Sequence, residues 1–110
     1  MEEGAFLRQA EVVMQQLEHM VESASDRVGI DIVVEQPSSG ILELEFSDGS
    51  KVVISRHLLA REIWVAAKTG GFHFRPDADG SWVGTRDGRR LTEVLSEQIS
   101  LHAGTPVLLE

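Results

Sequence analysis

The sequence predicts an α+β fold, a two-layer α/β sandwich in which an N-terminal and a C-terminal helix pack on one face of an antiparallel sheet of about six strands. Three observations carry this. Residues 41–74 hold short runs of alternating apolar and polar side chains, with turn signals between them. Residues 4–25 carry an apolar stripe at helical spacing, and residues 90–102 carry a second, shorter one. A sheet with one aliphatic face needs a cover, and the two stripes supply it.

Taken in order, the first helix places Phe6, Ala10, Val13, Met14, Leu17, Met20, Val21 and Ala24 on one side at roughly 100° per residue. A strand is expected at 30–36, and Pro37-Ser38-Ser39-Gly40 reads as a loop. In 41–46, Leu42, Leu44 and Phe46 alternate with Glu43 and Glu45, the pattern of a half-buried strand. Asp48-Gly49 supplies the positive φ of a tight hairpin, after which Val52, Val53 and Ile54 continue the sheet. In 62–68, Ile63, Val65 and Ala67 share one face, while Trp64 and Ala66 share the other. Gly70-Gly71 is expected to end that run before Phe72-His73-Phe74 starts the next. A turn at 76–80 leads to a short strand at 81–85 with Trp82 and Val83. The second helix then puts Leu91, Val94, Leu95 and Ile99 inward until Gly104 and Pro106 stop it. The tail Val107-Leu108-Leu109 is apolar enough to dock between elements.

Composition narrows the function. A chain of 110 residues is expected to form one domain, 1–110. It has no cysteine, which excludes disulfides, thiolate nucleophiles and sulfur ligation of a cluster. Eighteen acidic residues against ten basic ones give a net charge of −8, which repels phosphate backbones and argues against nucleic acid or an anionic membrane as partner. Cations or basic protein surfaces suit it better. The N-terminus has neither a basic region before an apolar core nor an Arg-rich, acid-poor presequence, and no apolar run reaches membrane-spanning length. The expectation is a soluble cytoplasmic protein. The chain offers no nucleophile with its base, no Gly-rich phosphate loop and no enclosed metal motif, so it is expected not to be an enzyme.

Two groups of residues stand out. Glu11, Glu18 and Glu22 cluster in one narrow sector of the first helix, and Asp26, Asp31 and Glu35 continue the acidity into the next segment. Such a ridge is ordinarily a solvated face. Carboxylate oxygens also accept cations, and Glu18 and Glu22, one turn apart, can share an ion that keeps its remaining positions hydrated. On the sheet, Trp64 lies opposite the aliphatic face, where a large aromatic suits a binding hot spot or is simply a half-covered surface residue. His73 alternates with Phe72 and Phe74 and can share that face. Arg56, Lys68 and Arg75 either pair with an acidic partner or guard the sheet against aggregation. His19, His57 and His102 show no ligand spacing and read as surface or boundary residues.

The ordered set Asp48-Gly49-Ser50-Lys51-Val52-Val53-Ile54, Ile63-Trp64-Val65-Ala66-Ala67-Lys68, Gly70-Gly71-Phe72-His73-Phe74, Trp82 and a Leu-rich last helix resembles the frataxin family in its bacterial, CyaY-type form. The resemblance covers nearly the whole chain. It implies the frataxin sandwich, an acidic ridge that binds iron weakly at the surface, here Glu11, Glu18, Glu22, Asp26 and Asp31, and a role in iron–sulfur cluster assembly. It further implies a cysteine desulfurase and an iron–sulfur scaffold protein as partners, met by a sheet face carrying Trp64, Arg56, Lys68 and His73. A monomer that can form iron-dependent oligomers is expected. The alternatives are a metal-independent interaction module and, less favoured, a ferroxidase. Where the family usually has Asn, a basic residue, Gln and soon Pro on the partner-facing sheet surface, this chain has Ser55-Arg56-His57-Leu58-Leu59. Val33 and Ser23 also stand at places that are often acidic, which thins the ridge.

Overall fold

The computed structural model describes residues 2–110. Helix α1 spans Glu3–Val28, followed by β1 (Ile32–Ser38), β2 (Ile41–Phe46), β3 (Lys51–His57), β4 (Glu62–Ala67), β5 (Gly70–Pro76), β6 (Trp82–Gly84) and helix α2 (Leu91–Ala103). The strands form one antiparallel meander in chain order, β1 to β6, with the two helices on one face, as the sequence predicts.

Helix α1 begins where the Glu2 side chain accepts the Ala5 N–H at 2.6 Å, satisfying one of the four orphan donors of a helix start. It runs three residues past the expected end. Gly29 stops it in the left-handed region, φ 77°, returning its N–H to Ser25 O. Strand β1 continues to Ser38 instead of ending before Pro37. The β1–β2 register shifts between Glu35 and Ser38, and on this edge strand the irregularity accommodates a proline that has no N–H to give. Gly70 and Gly71 also differ from expectation. They pair with Ala67 and Ala66 as the first residues of β5, so the turn between β4 and β5 is tighter than the sequence suggests.

The core lies between helices and sheet. Phe6, Leu17 and Val21 of α1 and Leu95 and Ile99 of α2 are fully buried with Leu44, Val52, Ile54, Ile63 and Val65, while Val13 is only partly covered. Each such large aliphatic side chain contributes about 1.5–3 kcal/mol when removed from water. Trp82 is buried edge-on to Phe6, with ring centroids 6.0 Å apart. The inner side of α2 is more polar than its apolar stripe suggests, because it captures the tail. Ser100 Oγ accepts the Val107 N–H at 2.8 Å, Ser96 Oγ accepts that of Leu109 at 2.9 Å, and Val107 and Leu109 are buried as a result. All of this occupies one face of the sheet and leaves the other to solvent.

Candidate partner face and acidic ridge

Register decides which side chains meet on the uncovered face. Antiparallel pairing sets Trp64 between Ser55 on β3 and His73 on β5, and sets Glu62 opposite His57 on β3. On a pleated surface His57 is then the diagonal neighbour of Trp64, within reach of a large ring. The indole is sandwiched: His57 stacks on one side at a centroid distance of 3.6 Å and His73 on the other at 4.3 Å, nearly parallel. Trp64 is therefore half-buried on a face that no helix covers.

Beneath the stack lies a residue with no apparent reason to be buried. Glu62 is 6% exposed although it sits on the open face. The Trp64 indole N–H donates to its Oε1 at 2.8 Å, Arg75 Nε–H donates to its Oε2 at 2.9 Å, and His73 Nδ1 lies 3.4 Å from Oε1. Burial alone would raise the Glu62 carboxyl. The hydrogen bonds from Trp64 and Arg75, with the charges of Arg75 and His73, outweigh it and hold the group below its ordinary value. His57 is pushed down, first by burial and then by His73, against the opposing influence of Glu62. Its Nε2 is 2.9 Å from Ser55 Oγ.

Trp64 and His73 thus come together as expected, and His57, read from sequence as an ordinary surface residue, is an integral part of the same cluster. One other expectation is corrected, and Lys68 takes part in contacts of its own. Arg56 pairs with Ile63 and shares the helix-facing side with Val52 and Ile54, so it does not join Trp64 on the uncovered face. Its Nη2 donates to Ser39 Oγ at 3.3 Å, and it lines a cleft of about 240 Å³ with Glu11, Glu18, Gln36 and Gly40. Gly40 is required there: its φ is 79°, and a Cβ would come within 2.8 Å of Arg56 Nε. Lys68 lies just past β4, where its Nζ pairs with Asp48 at 3.2 Å and its backbone N–H donates to His102 Nε2 at 3.1 Å.

That second bond fixes a polar knot under the β2–β3 turn. Because His102 Nε2 accepts, its proton is on Nδ1, which donates to Ser50 Oγ at 2.8 Å, and Ser50 in turn donates to Asp48 Oδ1 at 2.5 Å. His102 is buried and tilted against Phe46. Burial first, then Lys68, pushes its imidazole down against the pull of Asp48. Hydrogen bonds from Ser50 and Lys68 hold Asp48 far below the usual carboxylate range.

The ridge is organised differently. Glu11, Glu22 and Asp26 on α1 and Asp31 after it are exposed, Glu18 is half-buried, and none of the five forms an ion pair among the described residues. Among the described residues no three histidine, aspartate or glutamate side chains converge closely enough to enclose a metal ion. The donors are oxygens at helical spacing, open to water. That chemistry fits a hard cation held loosely with most of its hydration shell, and it does not fit a closed multi-ligand centre. No helix among the described residues is long and apolar enough to cross a membrane.

A family model described as a Frataxin-like domain matches residues 1–105. Proteins named iron-sulfur cluster assembly protein CyaY are similar along almost their full length. That of Janthinobacterium sp. (strain Marseille) is 43% identical, with 100% of this chain and 97% of the relative covered. That of Ralstonia pickettii (strain 12J) is also 43% identical, with 97% and 93% covered. Among solved structures, frataxin from Psychromonas ingrahamii superposes with a TM-score of 0.84 at 26% identity, covering 98% of this chain and 97% of the other. Trimeric frataxin from the yeast Saccharomyces cerevisiae, complexed with ferrous iron, superposes with a TM-score of 0.73 at 26% identity, covering 88% and 87%.

Proposed function

Because the chain belongs to the frataxin-like family that includes the CyaY proteins, we propose that it serves iron–sulfur cluster assembly as a two-surface module that carries out no chemistry of its own. The uncovered sheet face around Trp64 docks on the cysteine desulfurase and scaffold of the assembly machinery. The ridge of Glu11, Glu18, Glu22, Asp26 and Asp31 holds iron as cargo or signal. The observation that carries the reading is the placement of Trp64, a large aromatic ring fixed on the one face that neither helix covers. Aromatic residues so placed are the usual anchors of protein interfaces. The relatives' names as assembly proteins support the role, and the ferrous complex of yeast frataxin supports iron as the ion.

A cluster-assembly assay with purified desulfurase and scaffold, run with and without ferrous iron, tests both surfaces. Parent protein is expected to change the assembly rate in an iron-dependent way, and Trp64→Ala is expected to lose the effect. Modulation of equal size without iron would favour a metal-independent interaction module. The lack of convergent ligand triads among the described residues gives that second reading its weight.

A further inference from the structure

Glu62 poses a problem of physical economy. A glutamate on the open face of a sheet can remain hydrated at no cost, whereas burying a carboxylate is unfavourable unless charge and hydrogen bonds compensate. Here Arg75, the Trp64 indole N–H and His73 supply the compensation. The core gains nothing from this arrangement, since both helices lie on the other side of the sheet. What it constrains is one ring. Glu62 holds the indole by its Nε1 edge, and His57 and His73 hold it by its two faces.

We infer that Glu62 is the positioning residue of the partner face, locking Trp64 in one orientation before any partner arrives and determining which part of the ring is offered. The inference rests on the sheet-face reading above and deepens it. With both ring faces stacked and the indole N–H consumed by Glu62, the part of Trp64 left to a partner is its hydrocarbon edge. The matching surface is therefore an apolar slot and has no use for a carbonyl acceptor aimed at the indole nitrogen. Arg75 lies across from Glu62 on β5, next to the Trp64 cluster, with its side chain 64% exposed, and only its Nε is engaged by Glu62. Its terminal nitrogens suit a carboxylate at the rim of the slot. The partner surface that fits is an apolar pocket flanked by an acidic side chain. Ordering one side chain in advance removes an entropic cost from association, and its loss is expected to weaken binding about 2- to 10-fold.

The test needs two readouts. In the free protein, the indole N–H signals of Trp64 and Trp82 are followed by NMR hydrogen exchange. The Trp64 signal is expected to be protected in the parent, to lose protection in Glu62→Ala, and to keep part of it in Glu62→Gln, whose amide oxygen still accepts. Trp82, packed on Phe6 in the core, reports whether the fold is intact. Should Glu62→Ala disturb it, Glu62→Met, which keeps bulk without an acceptor, carries the comparison. The second readout is titration of the assembly complex, in which Glu62→Ala is expected to bind about 2- to 10-fold more weakly than the parent and Glu62→Gln to fall between them. Unchanged indole protection in Glu62→Ala, or equal weakening by Ala and Gln with the indole protected in both, overturns the positioning role. Parent-like binding by Glu62→Ala while Trp64→Ala binds poorly overturns it too and leaves the sheet-face reading standing. Parent-like binding by Trp64→Ala removes the sheet-face reading, and this inference with it.

Discussion

Two acidic regions of this protein are handled in opposite ways. On the outer sheet face one carboxylate, Glu62, is almost completely buried, accepts hydrogen bonds from Trp64 and Arg75, and has His73 Nδ1 3.4 Å from its Oε1. Along α1 the ridge acids Glu11, Glu18 and Glu22 form no ion pair with any described residue, Glu11 and Glu22 being exposed and Glu18 half-buried. The difference separates two uses of the same functional group. An acid whose oxygens are fully engaged inside the protein is a structural fixture: it holds its neighbours rigid and has nothing left for a ligand. Acids left unengaged offer every oxygen to an ion from outside, at the cost of mutual repulsion. A preformed docking surface calls for the first arrangement and a loosely held cargo for the second.

The largest effect expected from breaking this contrast falls on the outer face. Truncating an anchoring tryptophan at an interface costs at least ~2 kcal/mol of binding, about a 30-fold loss of affinity. Trp64→Ala is expected to show a loss of this size in titration of the assembly complex while the protein still melts cooperatively, because the buried core lies on the opposite face. A collapse of thermal stability with no separate loss of affinity in the folded fraction would make Trp64 a packing residue and erase the distinction between the two faces.

A smaller effect should appear on acidification, and its sign follows from the histidines. His57 and His102 are both pushed below their ordinary value of 6.5, in each case first by burial. A base whose folded value lies below its unfolded value takes up its proton more readily when unfolded. Its stabilising contribution is therefore complete above about 6.5 and is lost as pH falls through 6.5 toward the folded value. Urea midpoints measured from about pH 8 down to about pH 5.5 should fall, and this window lies above the range in which ordinary carboxylates titrate. His102→Gln should cost about 1 kcal/mol at the upper pH through a lost hydrogen bond and should flatten part of the pH dependence. His57→Gln should flatten the rest. A midpoint that holds steady or rises on acidification would mean that neither imidazole is kept neutral by its surroundings.

How far the sequence anticipates these regions depends on whether alternation or contact is decisive. Leu42, Leu44 and Phe46 declare their face because every second residue is apolar, and the same parity places Trp64 outside. Parity also put Arg56 with Val52 and Ile54 on the helix-facing side. That signal was legible, and the family-based expectation of a partner-facing segment overrode it. His57 was legible in principle, since hairpin pairing makes it the diagonal neighbour of Trp64. Glu62 was not, because its burial comes from side chains on β4 and β5 folding over it, and no periodicity encodes that. His102 falls on the apolar stripe of α2 seven residues after Leu95, but it is overlooked when only apolar residues are counted as core. Gly70 and Gly71 mislead in the other direction, being read as a break where they are paired strand.

The smallest effect concerns the ridge, and it tests the other half of the comparison. Glu18 and Glu22 are like charges at i,i+4, a spacing that destabilises a helix by roughly 0.2–0.5 kcal/mol, where a lysine at the second position would stabilise it by a similar amount. The full length of α1 adds to the conflict. The helix continues to Val28, so Asp26 lies in its last turn, where the partial negative charge of the helix end disfavours an acid, and Arg27 beside it offsets that only in part. Stability alone would not select these residues. If they are kept for cations, Glu18→Gln with Glu22→Gln should leave the metal-free protein as stable as the parent, or more stable by about 0.2–0.5 kcal/mol, while reducing the rise in melting temperature that ferrous iron produces by binding only the folded ridge. Screening by inert salt also relieves repulsion along the ridge, so sodium chloride of matched ionic strength is the required control. Under anaerobic conditions the parent should gain more from iron than from sodium, and the double variant should respond to both alike. Equal responses in the parent, or an iron response that survives the double variant, would reduce Glu18 and Glu22 to a solvated face and leave the outer sheet surface as the working region of the molecule.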